Sequence, residues 1–174
     1  MRVLGVDSGA GDVAFLAARH VGPDGRVLGI DRSPAAVEAA SERALALGPA
    51  DRVAFAVADA TVLPKGPFDA VVGRLVLMFL PDPVAALRGL ATRVRSGGIL
   101  AFQESAISSA RATFPAPVFE LSRRIIGETL RASGNDPDMG LRLTALLRSA
   151  ELRPVDIRGM SGVSALASLW FKAG

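Results

Sequence analysis

The chain has no cysteine and no tyrosine, and only one histidine and one tryptophan among its 174 residues. Without cysteine there can be no disulfide, thiolate nucleophile or zinc-thiolate site. Without tyrosine there can be no Tyr-Lys catalytic pair, and one histidine makes no metal-binding cluster, so no metal is expected. Long apolar runs are missing too. Arg, Asp, Pro or Gly interrupts each one well before the roughly 18 residues that a membrane span needs. Met1 leads directly into a strand-like pattern rather than a signal peptide. These absences predict a cytoplasmic protein without a membrane partner.

What is present is an ordinary globular composition, half apolar, with 21% charged residues of both signs. Such a chain can bury one substantial core and reads as a single domain over residues 1–174. The net charge of +3 comes almost wholly from arginines. They are spaced singly rather than gathered with aromatics into a stripe, so nucleic acid is not an expected partner.

Short apolar runs alternate with helical patterns. Arg2 to Val6, Arg26 to Ile30, Arg52 to Val57, Phe68 to Gly73 and Ile99 to Phe102 read as strands. Asp12 to His20, Pro34 to Leu47 and Pro83 to Val94 read as helices, the second and third capped by Ser33 and Asp82 with proline in the first turn. This rhythm predicts an α/β fold with a largely parallel sheet covered by helices on both faces. Further helices are predicted over Val118 to Leu130 and Leu141 to Ala150. Two last strand candidates, Arg153 to Met160 and Val163 to Phe171, are separated only by Ser161-Gly162. A gap that short forces an antiparallel hairpin. Val155 to Arg158 alternates apolar with charged residues, as an edge strand does, whereas Ser164 to Phe171 is uncharged and suits an interior position.

The stretch between the first strand and first helix, Asp7-Ser8-Gly9-Ala10-Gly11-Asp12, is glycine-rich. A loop of this kind lets backbone approach a ligand closely and presents the free N–H groups of the next helix, which suits an adenosine-type cofactor. Gly9-x-Gly11-x-x-Ala14 alone is a weak signal that ordinary tight turns also produce. Asp31 strengthens it. An acid at the end of the second strand, twenty residues past Gly11, can accept both ribose hydroxyls. Its alternative role is local capping. Asp59, ending the third strand, can accept from an adenine amino group while the next N–H meets the ring, or it can be a plain turn residue.

Together with Phe68-Asp-Ala-Val-Val72, Leu80-Pro-Asp-Pro83, Arg95-Ser-Gly-Gly98 and Phe102-Gln-Glu104, these residues make the chain resemble the class I S-adenosylmethionine-dependent methyltransferases. The likeness is greatest to the small-molecule branch related to ubiquinone and menaquinone biosynthesis. The resemblance implies a Rossmann-like three-layer sandwich with a seven-stranded sheet in the order 3-2-1-4-5-7-6, its last strand antiparallel. It implies S-adenosylmethionine as cofactor and a small-molecule methyl acceptor. In that arrangement Asp7, Ser8, Gly9, Ala10 and Gly11 wrap the methionine end, Asp31 with Arg32 beside it meets the ribose, and Asp59 with Ala60 meets the adenine.

This sequence departs from the family pattern at two places. The family usually has an acid where this chain has Gly5 and a glycine where it has Asp7, as if the two had changed places. A positive φ is costly at Asp7, and Gly5 weakens a buried strand by roughly 0.5–1 kcal/mol relative to alanine. The usual N-terminal helical segment that closes over the cofactor does not precede the first strand. A neighbouring subunit in a homodimer or the segment from Ser105 to Asp138 is expected to provide that cover.

Methyl transfer from a sulfonium is an in-line displacement in which alignment supplies much of the acceleration, and a base is needed only for a nucleophile that must lose a proton. Ligands in such sheets sit beyond the carboxyl ends of the strands, where Arg74 and Glu104 fall. Arg74 is read as holding a cofactor or substrate oxygen, or as ion-paired, for instance with Glu104. Glu104 is the candidate catalytic carboxylate, with a structural role as the alternative. Met78, Phe79, Phe114 and Phe119 are either an apolar pocket wall or core. His20 lies on the order of 13 Å along the first helix from the Gly loop and toward the wrong edge of the sheet, so it is read as capping or solvent-exposed. Two other readings share the loop: an NAD-binding oxidoreductase, and a methyltransferase-like interaction module with impaired cofactor binding.

Overall fold

A computed structural model describes residues 1–47, 51–59, 63–153, 156, 158 and 159. Among them, five strands form one sheet in the order β3-β2-β1-β4-β5, and every pairing is parallel. The strands are β1 (Arg2–Val6), β2 (Arg26–Asp31), β3 (Val53–Val57), β4 (Phe68–Arg74) and β5 (Val94–Gln103). The helices are α1 (Asp12–His20), α2 (Pro34–Leu47), α3 (Pro83–Ala91), α4 (Pro117–Ala132) and α5 (Met139–Ser149). Short 3-10 turns occupy Leu77–Phe79 and Ile107–Ser109.

Period-two alternation explains how each strand serves two layers. On one face, Val3, Val27, Val53 and Ala70 pack against Ala14, Phe15 and Ala18 of α1 and Ala44 of α2. On the other, Leu4, Val6, Ile30 and Val71 pack with Val76 and Leu90 of α3. A third cluster, with Leu77, Leu87, Met139 and Leu146, joins α3 and α5 to the loop after β4. Ser33 and Asp82 cap α2 and α3 through hydrogen bonds from the N–H groups of Ala36 (3.3 Å) and Ala85 (2.9 Å). Each such cap is worth about 1 kcal/mol.

The strands and the first two helices fall within a residue or so of the positions predicted from the sequence, with two exceptions. Helix α3 ends at Ala91 rather than Val94, and β5 begins at Val94 rather than Ile99. The Ser96-Gly97-Gly98 stretch, expected to break the chain before the strand, lies within β5. The cause is an irregularity in pairing: Phe68 is opposite Val94, yet Ala70 is opposite Ile99, so the extra residues bulge out of register. Gly97 takes φ 74° there.

The antiparallel hairpin expected at the C-terminus lies mostly outside the described residues. Arg153, Asp156, Arg158 and Gly159 are described and belong to no strand. The sheet observed is therefore five parallel strands, with β5 at its edge among the described residues. No helix among these residues is long and apolar enough to cross a membrane.

Helix α4 lies against the turn at Ile107–Ser109, and only Gly127 of its residues is buried. Val118, Ile125 and Ile126 remain exposed, as do Phe114 and Phe119. Met78 instead joins the core cluster of α3 and α5.

Candidate functional site

The order of the sheet decides where a ligand can enter. The strand order steps outward in opposite senses on either side of β1, which pairs in parallel with β2 on one edge and β4 on the other. The loops leaving β1 and β4 therefore part and open a crevice at the carboxyl ends. Asp7 to Gly11 leaves β1, and Arg74-Leu75-Val76 leaves β4.

The first of these loops has an unusual backbone. Asp7, Gly9 and Gly11 all have positive φ, at 50°, 52° and 91°. A side chain on Gly9 would meet nothing within 4 Å, so open space borders the backbone there. Gly11 differs: it is the N-cap of α1, and a Cβ would lie 2.7 Å from the Phe55 ring and 2.9 Å from that of Phe15. The first N–H groups of α1 have no partner within the helix and open onto the same loop.

Asp31 ties the loop to β2. It is only 9% exposed. Its Oδ2 accepts from the Gly9 N–H at 2.8 Å and its Oδ1 from the Ser33 N–H at 2.9 Å. Asp31 itself does not cap α2: its bond to the Ser33 N–H lies ahead of the helix, and the cap is the Ser33 hydroxyl. Each carboxylate oxygen has further acceptor capacity beyond these bonds.

The loops meet electrostatically at Asp7. Its carboxyl is raised above the ordinary value by burial first, then by the negative charges of Asp31 and Asp59, with Arg32 opposing. Asp31, Arg32 and Asp59, at the ends of β2 and β3, are therefore each within electrostatic range of Asp7. Ala60 lies outside the described residues. The Ser8 Oγ is buried without a hydrogen-bond partner, a polar atom left over inside the loop. Ala10 is exposed on the outer side.

A tertiary contact that no sequence signal announced completes the loop. Arg43 of α2 donates to the Ala10 carbonyl oxygen and to Asp12 Oδ1 at 2.9 Å, and its guanidinium lies 5.2 Å from the centre of the Phe15 ring. It clamps the loop from the far side. Arg74 reaches the same helix start, 4.0 Å from the other oxygen of Asp12.

Arg74 and Glu104 do not form the ion pair considered from the sequence. Glu104 Oε1 instead accepts from the N–H groups of Val76 (3.0 Å) and Leu77 (2.9 Å), fixing the loop after β4, where Leu75 has φ 56°. Its Oε2 is buried without a partner. Burial pushes the Glu104 carboxyl above its ordinary value against the lowering effect of those N–H donors. His20 is exposed at the last turn of α1, away from this rim.

The profile described as "Methyltransferase domain" matches residues 1–135. The chain belongs to the methyltransferase domain family. Among its relatives, the aklanonic acid methyltransferase DauC of Streptomyces sp. (strain C5) is 36% identical over 120 residues, 68% of this chain and 54% of that protein. The chain thus spans about half the length of this curated relative. The crystal structure of the cyclase SpnF is 30% identical, with a TM-score of 0.55 over 66% of this chain and 42% of that one. A SAM-dependent methyltransferase from Aquifex aeolicus, 21% identical, shares the fold with a TM-score of 0.66 over 88% of this chain and 72% of that one.

The exchanged residues of the methyltransferase Gly loop are now explained in part. A Cβ on Gly5 would be 3.8 Å from the Gly29 Cα, an ordinary contact, so no steric demand empties that position. Asp7 does adopt the left-handed backbone that glycine favours. Replacing Asp7 by asparagine, which tolerates this conformation at least as well, isolates the charge. The raised native pKa means that ionised Asp7 costs folding energy above that pKa, a cost relieved as pH falls through it. Asp7→Asn is therefore expected to stabilise the protein at pH 7. The gain should fade as pH drops through the raised native value and vanish only well below the ordinary aspartate value of about 3.9, where both states are protonated. Urea unfolding at neutral and at acid pH tests this, and a stability difference that grows in acid contradicts it.

Proposed function

We propose that this chain binds S-adenosylmethionine in the crevice between the β1 and β4 loops and transfers its methyl group to a small-molecule acceptor. The observation that carries this reading is the convergence of the Gly9 cradle, the buried Asp31 and the Asp59 end of β3 around one half-buried carboxylate, Asp7. Membership of the methyltransferase family and the likeness to an enzyme that methylates an organic acid support it.

The residues fit such a cofactor on structural grounds. Open space borders Gly9, a helix N-terminus faces the loop, and Asp31 retains acceptor capacity for ribose hydroxyls. Asp59, with Ala60 after it, is assigned to the adenine. Asp7 supplies negative charge suited to the cofactor's ammonium group, and Arg32 balances the surplus of carboxylates. S-adenosylmethionine supplies a methyl group on a positively charged sulfur, which makes the transfer a displacement that needs alignment above all.

The protein's own contribution is then positional. Arg43 and Asp31 immobilise the Gly loop, and Glu104 immobilises the loop after β4. With Oε1 committed to two N–H groups and Oε2 sealed, Glu104 is assigned a positioning role on the acceptor side. Arg74, exposed and only loosely paired with Asp12, is free to turn toward a ligand oxygen.

Calorimetry with S-adenosylmethionine, S-adenosylhomocysteine and NAD tests the reading. Micromolar binding of the two sulfur nucleosides without NAD binding is expected. NAD binding alone supports an oxidoreductase, and silence toward all three supports a non-catalytic module.

A further inference from the structure

A second hollow lies apart from the Gly loop. It is a cavity of about 470 Å³ between α4 and the turn at Ile107–Ser109, a size that suits a small organic ligand. The turn follows the end of β5 by a few residues, so one wall of the groove is built by the segment that leaves the carboxyl end of that strand.

Its walls are partly apolar, from Ile107, Pro117 and Leu121, and partly basic, from three arginines of α4. The arginines differ in how far their charge is already used. Arg123 donates through Nε and Nη2 to Glu120 Oε2, at 3.1 and 2.8 Å. Arg131 donates to Asp138 Oδ2 at 2.8 Å, while Oδ1 of the same carboxylate accepts from the Ser108 N–H at 2.7 Å. That shared acid fastens the end of α4 to the turn, and so sets the width of the cavity. Burial pushes the Asp138 carboxyl up, but the Ser108 and Arg131 donors outweigh it and hold it below its ordinary value.

Arg124 has no hydrogen bond or ion pair among the described residues. Glu128, one turn on, has none either, and the two do not pair with each other despite their i,i+4 spacing. Both side chains are exposed, so the hollow is an open groove that offers one unpaired guanidinium fork and one unpaired acceptor to a ligand.

Gly127 is the one buried residue of α4 and lines this hollow. It sits inside α4, where glycine costs about 1 kcal/mol relative to alanine. A Cβ there would lie 3.2 Å from Arg131 Nη1, the far end of a flexible side chain that can give way, whereas a larger side chain would reach into the hollow.

We propose that this cavity is the acceptor pocket and that it selects organic acids, with Arg124 as the residue that binds the carboxylate. A guanidinium fork matches a carboxylate in shape as well as charge. The apolar wall takes the carbon skeleton, and Glu128 accepts from a hydroxyl or amino group beside the acid. Arg124 is a specificity-determining residue here, with no part in the displacement itself. The inference rests on the methyltransferase reading for the word acceptor, whereas the pocket's preference for acids stands or falls separately.

Salicylate and salicylamide serve as probes, since they share a skeleton and a hydroxyl and differ in the charged group. Titrations of the full chain are followed by calorimetry or NMR, with S-adenosylhomocysteine affinity measured on the same samples. Salicylate is expected to bind about tenfold more tightly than salicylamide, as a charge-assisted hydrogen-bonded pair implies. Arg124→Gln should remove that preference and leave salicylamide and S-adenosylhomocysteine unaffected. Gly127→Leu, which fills the hollow, should abolish binding of both probes. Equal affinities, a preference that survives Arg124→Gln, binding that survives Gly127→Leu, or failure of both probes to bind each overturns the proposal. Loss of S-adenosylhomocysteine binding alone, with the salicylate preference intact, overturns the cofactor reading and leaves the acid pocket standing.

Discussion

Asp31→Ala is expected to abolish measurable binding of S-adenosylhomocysteine and to destabilise the chain at the same time. The side chain does two structural jobs: Oδ2 holds the Gly9 N–H and Oδ1 the Ser33 N–H. Removing it leaves both donors facing a site that is only 9% exposed in the native protein. An unsatisfied buried donor costs about 1–3 kcal/mol, and bonds to a charged acceptor lie toward the upper part of that range. The ribose acceptor is lost in addition, so the fall in affinity should exceed the roughly ten- to hundredfold expected for that contact alone. Asp31→Asn keeps one oxygen acceptor but turns an NH2 donor toward the other backbone N–H, so it should lose part of the stability that Asp31→Ala loses while still weakening the cofactor. Calorimetry and denaturant unfolding on both variants separate the roles. An Asp31→Ala protein that binds S-adenosylhomocysteine normally shows that the ribose is held elsewhere.

Gly11→Ala should have an effect of similar size by a different route. The residue has φ 91°, a conformation that penalises any Cβ, and the added carbon meets two aromatic rings at under 3 Å. The left-handed backbone alone costs roughly 1–2 kcal/mol. Phe15 and Phe55, packed edge to face at 5.7 Å, must part to make room, which loosens the cluster beneath α1. The rings are side chains and can move, so the fold should survive with a lowered unfolding midpoint. The start of α1 will shift, and cofactor affinity should fall at least tenfold as the loop N–H groups lose alignment. Gly9→Ala is the informative comparison: it shares the positive φ, at 52°, but has open space around it. Its stability loss should be confined to backbone strain, whereas its effect on cofactor binding should persist if a ligand occupies that space. Equal destabilisation by both changes contradicts the steric account of Gly11.

Much of the scaffold could be read from residue pattern because the forces that set it are local. The short apolar runs in Arg2 to Val6 or Phe68 to Gly73, and Ser-Pro and Asp-Pro at helix starts, act within a few residues of where they appear. The β5 start was misjudged for the same reason. Ser96-Gly97-Gly98 looks like a break locally, but the pairing of Val94 with Phe68 draws the strand across it as a bulge. Asp31 was legible as a ligand candidate from its spacing to Gly11, yet its two backbone partners lie on different elements and depend on the sheet being formed. Arg43 had no signature at all: a mid-helix arginine becomes a clamp only because α2 lies beside the Gly loop.

The amino-acid order by itself determined the alternating parallel architecture, the glycine-rich turn and the acids that close β2 and β3, since propensity, capping and hydrophobic period need no partner beyond their neighbours. Only the tertiary structure decided which charges remain available. Glu104 is consumed by Val76 and Leu77, Arg123 and Arg131 by nearby acids, while Arg124 is left unspent. Pairing of charges depends on distances of a few ångströms between elements far apart in the chain, and those distances exist only once the layers have packed.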